Sequence, residues 1–161
     1  MVRRLSGGGG SAILRKTTCS NRERSLDTRE IIGGIVSRHY PDVQAVYLFG
    51  SRADGTARED SDIDIAVLLP ESQAEHASNL AISECRHALE DALGIPVDLL
   101  NAREVSTVMQ FQFIYGERIL CCDVYEADVF EMLTMSYYQK LNEERAGILA
   151  EFQATGRLYD V

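Results

Sequence analysis

The stretch LFGSRADGTAREDSDIDIAV, residues 48–67, decides the fold and the chemistry predicted for this chain. A Gly-Ser pair, Gly50 and Ser51, ends one apolar run, and ten residues later two aspartates, Asp62 and Asp64, lie within a second apolar run. Because side chains alternate along a strand, both aspartates should lie on one face while the isoleucines beside them pack on the other. The pattern predicts a strand with one packing face and one binding face.

Two carboxylates on one face of a strand predict a metal site. They lie about 6–7 Å apart along an extended strand, and each disfavours ionisation of the other unless a cation lies between them. Mg²⁺ commonly binds through one or two carboxylates, with substrate phosphates completing its shell. A third carboxylate, Asp98 in the apolar segment 97–100, would join them if its strand pairs beside the first. The alternative for the Asp62 and Asp64 pair alone is a solvated strand end.

The Gly50 and Ser51 pair predicts a turn that can approach an anion. Glycine allows the tight backbone, and the N–H groups and the hydroxyl of such a turn can face a phosphate. The segment is not a Walker loop, because no Gly-Lys-Ser/Thr follows. A plain turn is the alternative for this pair taken by itself.

Composition indicates one folded domain with an unusual start. The chain has 161 residues, of which 45% are hydrophobic and 25% charged, with a formal net charge of −9. Residues 1–22 nevertheless carry five basic residues and no acidic one, around the segment SGGGGS. We therefore expect residues 1–26 to be a flexible basic extension, with a targeting peptide as the alternative, and residues 27–161 to form the domain. A domain this acidic repels a phosphate backbone, so nucleic acid is not an expected partner.

Two further features concern location. No apolar run approaches the ~20 residues of a membrane span, so no membrane association is expected. The four cysteines show no CxxC spacing, which indicates free thiols and favours a cytoplasmic protein.

The order of the predicted elements is that of a mixed α/β (α+β) fold with short strands. A first helix should be capped by Asp27, with Glu30 placed for a capping box. One helix is expected between Pro70 and Gly94, which would end it. The other predicted elements are strands at 45–49, 63–69, 97–100 and 119–122, a helix from Asn101 to Gly116, and a long helix at 127–155 closed by Gly156.

The long last helix carries apolar residues on two sides. One set recurs at three-to-four-residue spacing, which is typical of core packing. A second set lies off that stripe and leaves apolar surface of the kind that often contacts a partner. Core packing alone and partner contact both remain open. The stripe comprises Val129, Phe130, Leu133, Tyr137, Leu141, Ile148 and Phe152, and the second set comprises Met132, Met135, Tyr138 and Leu149.

These residues resemble a known group of enzymes. Phe49-Gly50-Ser51, ten residues, and then Asp62-Ile63-Asp64-Ile65, with Asp98 downstream, resemble the signature of the DNA polymerase β-like nucleotidyltransferase superfamily. The wider text GSRADGTAREDSDIDIAV and a last helix containing SYYQKLNEERAGIL resemble the minimal nucleotidyltransferase antitoxins encoded beside HEPN-domain ribonuclease toxins. The resemblance covers about residues 28–155 and is strongest over 46–69.

The resemblance implies a nucleotidyltransferase fold, a small mixed β-sheet flanked by helices, with a long C-terminal helix. It implies ATP as substrate, two Mg²⁺ ions, and transfer of AMP to a tyrosine hydroxyl of a partner HEPN toxin, which silences the toxin. Two alternatives remain open: a small-molecule, antibiotic-type nucleotidyltransferase, and an antitoxin that acts by binding alone. In the implied site Gly50 and Ser51 hold the triphosphate, Arg52 adds a phosphate contact, Asp62 and Asp64 bind the metals, and Asp98 completes the catalytic site as metal ligand or base.

Overall fold

A four-stranded mixed sheet forms the centre of the computed structural model. The structure describes residues 20–53, 55–58, 61–74, 80 and 83–155, with side chains from 28 to 154 within these ranges. The strands are β1 (Ala45–Phe49), β2 (Ile63–Leu68), β3 (Val97–Asn101) and β4 (Glu117–Cys121). Their spatial order is β3-β2-β1-β4, in which β1 pairs antiparallel with β2 and β4, and β2 pairs parallel with β3. The predicted small mixed sheet is confirmed.

Helices cover both faces of this sheet. They are α1 (Ser20–His39), α2 (Glu71–Ala74), α3 (Glu84–Leu93), α4 (Thr107–Tyr115) and α5 (Val124–Thr155), and a short 3₁₀ turn spans Gly50–Arg52. Within the described residues, no helix combines the length and the apolar character needed to cross a membrane.

The sheet separates two apolar clusters, as the alternation along its strands requires. Ile63, Ile65 and Val67 pack with α1 and α3 on one face. Ala66 and Leu68 pack with α4 and α5 on the other. Asp64 has the parity of Ala66, so it belongs to the face that α4 and α5 partly cover. The predicted division between two faces is confirmed for Asp64 and the isoleucines, whereas Asp62 lies just before the first residue of β2.

Two predicted helices have different bounds. Helix α1 begins at Ser20, so Asp27 lies inside it and does not cap it. The prediction of a single helix between Pro70 and Gly94 is wrong, because α2 ends at Ala74 and α3 starts after Ser83. The Ser83 Oγ accepts a hydrogen bond from the Arg86 N–H. A local cap at Ser83 thus starts a new helix where the apolar spacing suggested continuity. Gly94 ends α3 as predicted, at φ 69°.

Asn101 does not cap α4. It closes β3, is 6% exposed, and donates from Nδ2 to the Ala74 carbonyl while its Oδ1 accepts from the Arg103 N–H. Helix α4 starts later, after Ser106, whose Oγ accepts from the Met109 N–H. Burial of the Asn101 side chain under α2 commits its hydrogen bonds to the interior, which leaves the cap to Ser106.

Helix α5 packs on the domain only through its first half. Ala127, Phe130 and Thr134 are buried, whereas every described side chain from residue 142 onward is exposed. The expectation of a continuous core stripe is therefore wrong for Leu133, Tyr137, Ile148 and Phe152, which are 42, 57, 39 and 42% exposed.

Some predictions fall partly outside the described residues. Gly156 and residues 1–19 are among these, and the division of the chain at residue 27 stays a prediction.

Candidate functional site

Strand register places Asp98 directly beside Asp64. In the parallel pair β2 and β3, Asp64 is the partner of Asp98, and in the antiparallel pair β1 and β2 it is the partner of Phe49. Gly50 follows Phe49 immediately. One line across three strands therefore joins the Gly-Ser turn to two of the predicted carboxylates, as the sequence led us to expect.

The Gly50 position requires glycine for two reasons. Its φ is 71°, in the left-handed region that L side chains rarely adopt. A Cβ built there would also overlap Oδ2 of Asp64. The missing side chain is thus what allows the turn and the Asp64 carboxylate to lie against each other.

Hydrogen bonds tie the turn to the start of β2. Arg52 donates from Nε and Nη2 to the Ser61 carbonyl oxygen at 3.1 and 2.7 Å. Ser61 Oγ accepts from the Arg58 N–H at 2.9 Å, and the Ser51 carbonyl accepts from the Thr56 N–H at 3.0 Å. Arg52 therefore holds the residue that precedes Asp62, and its predicted phosphate contact stays a prediction.

An open cleft of about 450 Å³ lies over this region, lined by Ser51, Arg58, Ser61, Asp62 and Asp64. Sequence reasoning missed Arg58 and Ser61. The signal for Arg58 was its position as a basic residue between the Gly-Ser pair and the two aspartates, where a cation can face an anionic ligand held by the turn.

The carboxylates interact through their charges. Burial, and then the charges of Asp98 and Asp62, raise the pKa of the Asp64 carboxyl above its usual range. Asp62 and Asp98 are themselves exposed, and Asp62 precedes the first residue of β2. A nearby cation would relieve the repulsion that Asp64 experiences.

The expectation that three carboxylates surround one spot needs correction. Among the described residues, no three His, Cys, Asp or Glu side chains are grouped closely enough to hold one ion. Like charges repel, and the exposed Asp62 and Asp98 are free to turn toward water. The donor set still fits Mg²⁺, because that ion needs only one or two protein carboxylates when phosphate oxygens and water complete its shell.

Residues 32–125 match the family model described as Polymerase beta, Nucleotidyltransferase. The matched segment contains the predicted site residues: Gly50, Ser51, Arg52, Asp62, Asp64 and Asp98. The chain belongs to this nucleotidyltransferase family. It is also 38% identical over 131 residues to the protein adenylyltransferase MntA of Shewanella oneidensis, an alignment that covers 81% of this chain and 91% of MntA.

Solved structures resemble this nucleotidyltransferase over most of its length. A toxin–antitoxin crystal structure with AMP-PNP has a TM-score of 0.65 at 32% identity, and it covers 78% of this chain and 98% of the matched chain. A complex of the tri-AMPylated Shewanella oneidensis HEPN toxin with its MNT antitoxin has a TM-score of 0.61 at 30% identity, and it covers 81% and 98%. The fold, with its long C-terminal helix, is therefore that of minimal nucleotidyltransferase antitoxins.

Proposed function

We propose that this chain is an antitoxin that transfers AMP from ATP to a tyrosine hydroxyl of a HEPN ribonuclease toxin. The observation that carries the proposal is the register of Phe49, Asp64 and Asp98 across three strands, with the Gly50 turn packed against Asp64. Ser51 and Arg58 line the same cleft as Asp64. The relatives named above support the acceptor, because one is a protein adenylyltransferase and one structure holds an AMPylated HEPN toxin.

The neighbouring negative charges of the aspartates favour a bound metal ion. Asp62, Asp64 and Asp98 would hold Mg²⁺ with one or two carboxylates to an ion, and the nucleotide phosphates would complete each shell; two ions are expected. Bound there, Mg²⁺ supplies charge stabilisation of the transferring phosphoryl group and of the leaving pyrophosphate. Burial and the charges of Asp98 and Asp62 raise the pKa of Asp64, and a cation bound beside these carboxylates would offset that repulsion.

The residues around the cleft position the reactants. Backbone N–H groups of the Gly50–Ser51 turn and the Ser51 hydroxyl hold the triphosphate, while the Arg58 guanidinium neutralises part of its charge. Arg52 keeps Asp62 in reach by holding the Ser61 carbonyl. Asp98, exposed and next to Asp64, would accept the proton of the incoming tyrosine hydroxyl or share a metal.

The proposed reaction is an in-line displacement at the α-phosphorus of ATP. The tyrosine oxygen forms a bond to the α-phosphorus as the bond from that phosphorus to the pyrophosphate oxygen breaks. The tyrosine proton passes to the base, and pyrophosphate leaves. No covalent bond to this chain forms, so its side chains serve for positioning and charge stabilisation.

The outward side of α5 is the proposed toxin contact. Met132, Met135 and Leu149 are 59, 57 and 60% exposed, which leaves an apolar surface along a helix that extends beyond the rest of the domain. Tyr138 does not belong to this surface, because its ring stacks on Phe111 at 3.8 Å.

We also place the reaction in the cytoplasm. ATP is available there, and Cys85 and Cys121 are free thiols, as a reducing compartment favours.

Mass spectrometry of a co-expressed pair tests the proposal. A HEPN toxin co-expressed with this chain should gain the mass of one or more AMP units on tyrosine, and it should lose ribonuclease activity. With Asp64→Asn the toxin should keep its unmodified mass. A toxin that is silenced without any added mass would refute the transfer and indicate neutralisation by binding alone.

A further inference from the structure

A second cleft adjoins the carboxylate cleft at the Gly-Ser turn. It measures about 370 Å³, within the range of small-molecule sites, and is lined by Gly50, Phe111, Gln112, Tyr115 and Gly116. Gly50 lines this cleft and its neighbour Ser51 lines the carboxylate cleft. Both clefts lie on the sheet face that carries Asp64 and packs against α4. One ligand can therefore reach from one cleft into the other.

Close packing of α4 on β1 places the aromatic residues of this cleft. A Cβ at Gly116 would overlap the Leu48 carbonyl oxygen and lie 3.0 Å from the Phe49 Cα, so only glycine allows this approach. The Phe49 and Phe113 rings, 4.6 Å apart, fasten α4 to the same strand. The C-terminal end of α4, with Tyr115, is thereby held beside Gly50.

Two aromatic rings of α4 line this cleft. Phe111 and Tyr115 are four residues apart, and their ring centroids lie 5.9 Å from each other at an interplanar angle of 32°. Tyr138 of α5 stacks on Phe111 at 3.8 Å with an interplanar angle of 8°, which fixes that ring from behind. Tyr115 is 78% exposed, so most of its ring surface is available to a ligand.

We propose that this cleft holds the nucleobase of the bound nucleotide, stacked on Tyr115 with the Phe111 ring beside it. The inference rests on the proposed function and extends it to the base-binding part of the same site. The lining side chains are uncharged, which suits a neutral base and not a phosphate. The Gln112 amide offers both donors and an acceptor to the edge of a purine. The triphosphate would then lie on the Ser51 and Arg58 side of the turn.

Comparing ATP with inorganic tripolyphosphate, both with Mg²⁺, separates the base from the phosphates. Tyr115→Ala should weaken ATP binding about tenfold or more, since base stacking on one aromatic ring has an effect of this size. Its affinity for tripolyphosphate should not change. Tyr115→Phe keeps the ring and should bind ATP as the wild type does. In steady-state transfer, Tyr115→Ala should raise KM for ATP more than it lowers kcat.

Tyr125→Ala is the matched control, because Tyr125 is 74% exposed on α5 and does not line the cleft. Equal ATP affinity of Tyr115→Ala and Tyr125→Ala would overturn the base assignment and leave the proposed function intact. An increase in KM for the toxin alone would overturn it as well and assign the cleft to the acceptor. If the wild type binds neither ATP nor tripolyphosphate, the proposed function fails, and the base assignment fails with it.

Discussion

Replacing Gly50 with alanine tests the contact between the turn and the Asp64 carboxylate. Two costs combine at this position. The φ of 71° imposes about 1–2 kcal/mol on any L side chain. The new Cβ also overlaps Asp64 Oδ2 and lies 3.0 Å from Cγ, so the carboxylate must turn out of its present rotamer, at about 1 kcal/mol. Gly50→Ala should therefore lower the free energy of unfolding by about 2–3 kcal/mol.

Gly55→Ala separates the two costs. Gly55 has a φ of 73°, and a Cβ built there meets nothing within 4 Å, so this variant should lose only the backbone share of about 1–2 kcal/mol. In an Asp64→Ala background the overlapping atoms are gone, and the remaining Asp64 Cβ lies at an ordinary 3.5 Å. Gly50→Ala and Gly55→Ala should then cost the same.

Urea unfolding and AMP transfer from labelled ATP provide the two measurements. In a thermal scan of this 161-residue chain each kcal/mol would correspond to roughly 2–4 °C in Tm, so a difference of this size is resolvable. Transfer by Gly50→Ala should fall about a hundredfold, because a misplacement near 1 Å at the reacting centre has such an effect, whereas Gly55→Ala should stay close to wild type. Equal stability of the two variants in the wild-type background, or full transfer by Gly50→Ala, would refute this reasoning.

Three further predictions use the same measurements. Asp64→Asn should raise the free energy of unfolding at neutral pH without metal, because the raised pKa means that the ionised carboxylate destabilises the fold. The gain over the wild type should shrink as pH falls through that pKa and the wild-type carboxyl protonates. A stability difference between variant and wild type that stays the same across pH would contradict this prediction. Arg52→Lys keeps the positive charge but loses the two hydrogen bonds to the Ser61 carbonyl, so AMP transfer should drop as much as it does in Arg52→Gln. Wild-type AMP transfer by Arg52→Lys would indicate that Arg52 contacts a phosphate instead. Leu89→Ala, fully buried, should cost about 2–5 kcal/mol in urea unfolding, while Leu149→Ala, 60% exposed, should stay within about 0.5 kcal/mol of the wild type.

Strands were predicted more accurately than helices. Residues 45–49 form β1 with the predicted bounds, and β2, β3 and β4 differ from prediction by one or two residues at their ends. Short apolar runs between turn residues define such strands locally. The predicted helix bounds were wrong where a serine cap sets the start of the helix, as at Ser83 and Ser106. Serine is also common in loops, so the sequence alone does not mark these two residues as caps.

The sequence by itself determined the alternation of Asp62, Asp64 and the isoleucines, and it placed a glycine where the chain turns into the cleft. Both are local properties, since side-chain parity and a left-handed φ depend on a few neighbouring residues. Only the tertiary structure decided that Asp98 stands beside Asp64, that Arg58 lines the carboxylate cleft, and that most of α5 stays uncovered. Pairing, register and docking join residues far apart in the chain, and they are set by which apolar faces can be buried together.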